Sequence, residues 1–274
     1  MKRMIAFALA MVLSLSLCAC GKKKAAENKA PADPNAGKTA VWVLNEIYDT
    51  TGKYEFRLEY EENRDLKGIE YRCEDEDGKV YITQKRYVFD SVGRLLTENV
   101  IRNDVNKVFC HSYDIYGNEV NSNCEYTYDA GGKILTVYNN ANRKSGTYTY
   151  NEAGLLIAKN DFNGQWTYTY DANGRLLTEQ DSEGWHATYT YDDKGNLTKY
   201  ASGYADDTPE WTEIYTYDAN GNLSQITVQS PEFDGGKDVV YQLSYEQVYL
   251  LPEQANVIKA QQEYALSKVA TLTR

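Results

Sequence analysis

Trp166-Thr167-Tyr168-Thr169-Tyr170-Asp171-Ala172-Asn173-Gly174-Arg175-Leu176-Leu177 decides the architecture. Its first half alternates aromatic and hydroxyl residues with period two, which specifies a strand rather than a helix. Asp171-Ala172-Asn173-Gly174 suits a type I turn followed by a left-handed residue, the three-residue hairpin loop with a bulge. The Asp171 carboxylate can cap the turn, and Gly174 accepts positive φ without a Cβ clash. This spacing sets Asp171 opposite Arg175, Tyr170 opposite Leu176 and Tyr168 opposite Thr178. Trp166, Tyr168, Tyr170 and Leu176 then share one sheet face. Thr167, Thr169, Asp171, Arg175 and Leu177 share the other.

The unit recurs. Tyr-Asp-x-x-Gly stands at Tyr48, Tyr113, Tyr128, Tyr170, Tyr191 and Tyr217, with variants at Phe89 and Tyr150 and a degenerate copy at Asp75–Gly78. The spacing between these glycines runs from 15 to 26 residues, a repeat with variable loops. A second set of turns, Asp161–Gly164 and Asp181–Gly184, joins one hairpin to the next. The expectation is an all-β fold: an antiparallel meander of hairpins forming a curved or rolled sheet, with short strands at 79–89 and the longest loop near Ala201–Pro209. Hairpins that are marginal alone stabilise one another when paired in series.

Composition agrees. The 274-residue chain has 25 Tyr against 6 Phe and 4 Trp, and Tyr favours half-buried strands. Net charge is −11, and removing residues 1–19, which hold Lys2 and Arg3 and no acid, takes it to −13. That balance argues against a nucleic-acid partner, which requires a basic footprint.

Residues 1–19 read as an export signal: basic Lys2 and Arg3, then an apolar run from Met4 to Leu17, too short to span a bilayer comfortably. Leu17-Cys18-Ala19-Cys20-Gly21 looks like a bacterial lipobox with Cys20 as the acylated residue; the alternative is a plain secretory signal. On the lipobox reading the mature chain begins at Cys20 and is lipid-anchored at the extracytoplasmic face of a cell membrane or envelope, with Lys22, Lys23 and Lys24 at the headgroups. Residues 20–40 form a disordered tether, 41–251 the repeat domain, and 252–274 a C-terminal helix and tail. Pro252 and Glu253 suit a helix start. Ile258, Ala265, Val269 and Leu272 supply an apolar stripe to cover the last strand as an open edge.

The motif Tyr168-Thr169-Tyr170-Asp171-Ala172-Asn173-Gly174-Arg175-Leu176 resembles the YD repeats of bacterial RHS-type proteins, over roughly residues 41–250. In large members such repeats form a spiralling β-sheet shell around a toxin. This array is short and the segment after residue 250 reads as a helix, so the shell role is not carried over. The resemblance implies a small YD-repeat lipoprotein.

Residues that carry catalysis or bind metals are sparse. His111 and His186 stand alone, with no zinc spacing, and both read as structural. Cys73, Cys110 and Cys124 are odd in number. Cys110 is expected opposite Ser122 with Cys124 on the diagonal, where a bridge needs Cα atoms about 4.4–6.8 Å apart; a bulge could close that gap, and unpaired thiols are the alternative. The turns have a faint likeness to calcium loops but lack their spaced ligands. No cofactor motif is present, so no cofactor and no metal is expected, and the chain reads as non-enzymatic.

The remaining constellation is aromatic. Trp42, Trp166, Trp185 and Trp211 all lie an even number of residues before a motif Tyr. Trp166, Trp185 and Trp211, with Tyr168, Tyr189 and Tyr215, form the candidate ligand-binding set, a platform for a glycan or a protein. The competing reading makes these rings the core of a curved sheet. A Trp185→Ala variant separates them: ligand loss without unfolding for a platform, unfolding for a core. The functional expectation is a cell-envelope lipoprotein presenting a binding or scaffolding surface for protein or glycan. An envelope-polymer hydrolase or processing factor and a structural spacer are the alternatives.

Overall fold

A computed structural model describes residues 35–75, 77–102, 105–204 and 208–272. The expected signal, Cys20 and most of the tether lie outside the described residues. The first strands are β1 (Thr39–Asp49), β2 (Tyr54–Tyr60), β3 (Leu66–Glu74), β4 (Val80–Phe89), β5 (Leu95–Arg102) and β6 (Val105–Cys110). A small hairpin, β7 (Ser112–Tyr113) and β8 (Glu119–Val120), precedes β9 (Cys124–Tyr128), β10 (Ile134–Asn139), β11 (Lys144–Tyr150), β12 (Leu156–Asp161) and β13 (Gly164–Tyr170). Then come β14 (Leu176–Asp181), β15 (His186–Tyr191), β16 (Leu197–Gly203), β17 (Trp211–Tyr217), β18 (Leu223–Gln229), β19 (Val239–Leu250) and helix α1 (Pro252–Leu272).

Seventeen strands form one antiparallel sheet. The ladders run from β6 through β5, β4, β3 and β2 to β1, cross to β19, and descend through β18 to β9. Laid flat at about 4.8 Å per strand, β6 and β9 would stand roughly 77 Å apart. The connection from Cys110 to Cys124 reaches at most about 48 Å at ~3.4 Å per residue. The sheet is therefore rolled. The β7–β8 hairpin ties its two ends together: the Tyr113 hydroxyl donates to the Leu95 carbonyl on one side, and Asn118 Nδ2 donates to the Gly132 carbonyl on the other.

The turn is built as its sequence requires. Asp171 N–H donates to the Arg175 carbonyl, Gly174 has φ 80°, and Asp171 Oδ1 accepts from the Asn173 and Arg175 amides. The register differs one step further out. Tyr170 pairs with Leu176, but Tyr168 pairs with Glu179, because Leu177 is bulged out and Thr169 takes Thr178. The same shift follows the turn in the hairpins closed by Tyr60, Phe89, Tyr128, Tyr150, Tyr191 and Tyr217. A one-residue slip exchanges the two faces of a strand. It moves Glu179 onto the aromatic face.

The bulge gives the hydroxyl of a motif Tyr a partner in the neighbouring unit. Past the bulge, the β14–β15 ladder ends at Thr178 and Thr188, and the Leu176 carbonyl is bonded by the Tyr191 hydroxyl at 2.9 Å. The contact repeats from unit to unit: Tyr150 to Ile134, Tyr170 to Leu156, Tyr217 to Leu197 and Tyr245 to Leu223, each at 2.8–3.0 Å. In these units the Tyr hydroxyl satisfies a backbone carbonyl of the unit before it.

Several expectations are corrected. β4 has ten residues and is one of the longer strands, because β3 and β5 flank nearly all of it. Ala201 to Gly203 belong to β16 rather than to a loop. The last strand is not an edge: β19 lies between β18 and β1. Helix α1 does cover the end of β19 and packs across β1 and β3 as well. Ile258 is buried against Val43, Val248 and Leu250, and Ala265 joins the main core. The side chains of Val269 and Leu272 lie outside those described. Gln262 Oε1 accepts the Leu44 amide and Gln261 Oε1 the Leu66 amide, both at 2.7 Å. Both amides sit at ladder irregularities, where no neighbouring strand supplies the partner. Cys110 pairs with Thr97 in β5, not with Ser122, because the chain turns at Asn121 and carries Cys124 into β9. Cys73, Cys110 and Cys124 are free thiols.

Candidate functional site

The inner face of β12–β17 brings the sequence-derived aromatic set together. Trp166 and Trp185 meet at a centroid distance of 5.5 Å and 64°, and Tyr189 and Tyr200 at 5.2 Å and 60°, both edge-to-face. Trp185, Ala187 and Tyr200 are buried, with Trp166, Tyr189, Trp211 and Tyr215 half-buried around them. Trp185 is 8 % and Tyr168 6 % exposed, so these two form the floor. Trp166 and Tyr189 form the rim, while Trp211 and Tyr215 also pack against the main core, Trp211 at 5.4 Å from Phe233. Trp42 is not part of this cluster: β1 is irregular between Leu44 and Glu46, which reverses the parity that linked Trp42 to Tyr48.

Two residues that the sequence did not single out complete the site. Glu179 is 2 % and Glu213 1 % exposed. Glu213 Oε1 accepts the Trp211 ring N–H at 2.7 Å, and Glu213 Oε2 accepts the Tyr215 hydroxyl. Glu179 accepts the Tyr189 hydroxyl at 2.6 Å. Burying a carboxylate is costly unless hydrogen bonds hold it, and here the polar edges of the rim aromatics supply them. Asp181, also buried, accepts the Glu183 and Trp185 amides and so fixes the turn that sets Trp185 in place. Burial, then the nearby Glu179 and Asp161 charges, hold the Tyr168 hydroxyl well above its ordinary pKa. The signal for Glu213 was available: it lies between Trp211 and Tyr215 at period two. Glu179 was concealed by the bulge.

At the edge of this face, Lys159 Nζ stands 5.4 Å from the centre of the Trp166 ring and 3.9 Å from Asp161 Oδ2. An open groove of about 460 Å³ lies at the turn rim between neighbouring units, lined by Asn151, Leu155, Tyr170 and Asn173 among others; it contains none of the tryptophans. The turn oxygens behind the likeness to calcium loops are engaged, as at Asp171, whose Oδ2 bonds Arg175 Nε. Among the described residues no group of three His, Cys, Asp or Glu side chains is placed to hold a metal. His111 Nδ1 lies 2.6 Å from Glu119, and both sit in the tie that closes the roll.

The fold and its turns define a class: hairpin units in series, most closed by Tyr-Asp-x-x-Gly or a close variant and many pinned to the preceding unit by the Tyr hydroxyl. The RHS repeat family model matches residues 150–184 and again 170–206, and these units are RHS repeats, the YD-repeat type. No curated protein matches the chain. Among solved structures, the Photorhabdus luminescens Tc holotoxin pore is similar at 16% identity and TM-score 0.30, over 68% of this chain and 12% of that one. The chain thus spans about an eighth of that toxin chain. A porin-like protein from Bacteroides uniformis is similar at 10% identity and TM-score 0.36, over 75% of this chain and 98% of that one. Among the described residues no helix is long and apolar enough to cross a membrane.

Proposed function

We propose that this chain is a cell-envelope lipoprotein, anchored through an acylated Cys20, that presents the inner aromatic face of its repeat sheet as a non-catalytic binding surface for a glycan. The supporting observation is the pairing of half-buried rings, Trp166, Tyr189, Trp211 and Tyr215, with the buried carboxylates Glu179 and Glu213. Flat rings offer their faces to the C–H faces of sugar rings. The carboxylates are committed to the ring donors, which suits holding the platform rigid rather than transferring protons.

Two measurements test this reading. Cys20→Ser is expected to move the protein from the membrane fraction to the soluble fraction; continued membrane association removes the anchor. A glycan array probed with the purified chain is expected to give hits that Trp166→Ala weakens without unfolding; hits that are indifferent to Trp166 remove this face as the site.

A further inference from the structure

We infer that the open groove at the turn rim is the seat of an arginine side chain carried by a peptide partner. The groove lies apart from the aromatic face proposed above for a glycan, and the inference does not rest on that reading.

The differences between repeat copies carry it. The residue that follows the turn glycine is Lys, Arg or Asn in eight of the nine turns and Leu155 in the ninth. In three units that residue lays a cation over the motif Tyr of the next unit. Arg94 Cζ stands 4.8 Å from the centre of the Tyr113 ring, Arg175 Cζ 4.8 Å from that of Tyr191, and Lys133 Nζ 5.4 Å from that of Tyr150. Arg175 adds a directional bond: its Nη1 donates to the Asp192 carbonyl at 3.4 Å. Leu155 follows the same course, its tip beside Gly174 as the tip of Lys133 lies beside Gly154, but it is shorter and brings no charge. Among the described residues no cation stands over Tyr170. The turn that Leu155 closes has also lost its acid. Asp90 and Asp171 form ion pairs with Arg94 and Arg175, whereas Asn151 stands at that position before Leu155.

Both changes fall where the groove of about 460 Å³ opens, between Asn151, Leu155, Tyr170 and Asp171. That volume lies within the ~300–1,000 Å³ of small-ligand sites. A guanidinium entering it meets the half-buried Tyr170 ring and the Asp171 carbonyl, the repeat equivalents of the Tyr191 ring and the Asp192 carbonyl that hold Arg175. Arginine suits the seat better than lysine, because its planar fork stacks on a ring and still donates sideways. The net charge of −11 draws in a basic partner.

The test titrates two blocked pentapeptides into the purified full chain and follows backbone amide shifts by NMR. One has arginine at its centre and glycine elsewhere; the other has citrulline, a neutral isostere. The arginine peptide is expected to shift the amides of residues 151–155 and 170–174 and to bind about fivefold or more tightly. Leu155→Arg, which gives this turn the residue type of its neighbours, is expected to fill the seat. Binding should then fall at least about tenfold with no loss of thermal stability. Lys133→Leu is expected to vacate the equivalent seat over Tyr150 and add a second set of shifts at residues 129–133 and 150–154, a gain that a folding defect cannot imitate. Equal binding of the two peptides overturns the inference. So do shifts that survive Leu155→Arg, which mark diffuse attraction to an acidic protein, and a Lys133→Leu chain that gains no second set.

Discussion

The two arms of the rolled sheet are built by one turn and use their inner faces in opposite ways. Under β1–β4 and β19 the inward residues are Leu44, Ile47, Phe56, Leu66, Ile69 and Tyr241, an apolar core. Helix α1 lies over it, with Tyr264 edge-on to Tyr87 and Phe89 at 5.3 and 5.8 Å. Under β12–β16 the inward residues are Trp, Tyr, Glu and Asp with half-buried rings, and Trp211 and Tyr215 of β17 bridge this cluster to the apolar core. The matches to the repeat family fall in this second arm. The turn machinery of Asp, Gly and Tyr recurs in both arms; what differs is the set of inward residues.

The largest effects should break this contrast at its buried points. Trp185→Ala, in the floor of the open arm, should cost about 3–5 kcal/mol by chemical denaturation, comparable to Phe56→Ala in the sealed arm. Unfolding of this variant would match the core reading of Trp185, which is 8 % exposed. The helix seal comes next. Gln262→Ala strands the Leu44 amide and should lower stability by about 1–3 kcal/mol. It should also speed hydrogen exchange in β1 while leaving β13–β16 unchanged; uniform loss across both arms would show that the seal is not local.

The ties between units are smaller. Tyr191→Phe removes the hydroxyl on the Leu176 carbonyl and should cost roughly 0.5–1.5 kcal/mol. The same tie gives a pH signature. Burial, reinforced by the Asp192 charge, pushes Tyr217 up to about 12. A raised phenol pKa favours the protonated folded form, so this contribution is intact below pH ~10 and is lost as pH rises toward 12. Ultraviolet titration should therefore show the tying tyrosines ionising late, together with unfolding; ionisation near pH 10 with the fold intact would contradict the tie.

The strand–turn–strand unit was legible because its determinants are local: period two, an Asp that caps its own turn, and a Gly at positive φ. The bulge was not, since its position is occupied by Leu177, Thr198, Ser224 and Ile157 with no shared residue type. Its stabilising partner is a Tyr from the next unit, a non-local contact. A further unit was missed because Arg64, at φ 73°, stands where Gly is expected after Tyr60. Gln261 and Gln262 were not singled out, because nothing in the sequence of α1 reveals the two irregular ladders it covers. Within the site, the rings could be read from parity alone, whereas Glu179 required the bulge to be known.

The most direct test of an open arm beside a sealed one is Trp166→Ala, assayed on the same sample for thermal unfolding and for binding of a glycan found on the array. The half-buried ring at the rim should be dispensable for folding, with Tm within about 4 °C of the parent, a change on the order of 1 kcal/mol for a domain of this size, while binding falls at least about tenfold. A Tm that collapses as it does for Trp185→Ala, or binding that is unchanged, would contradict the account.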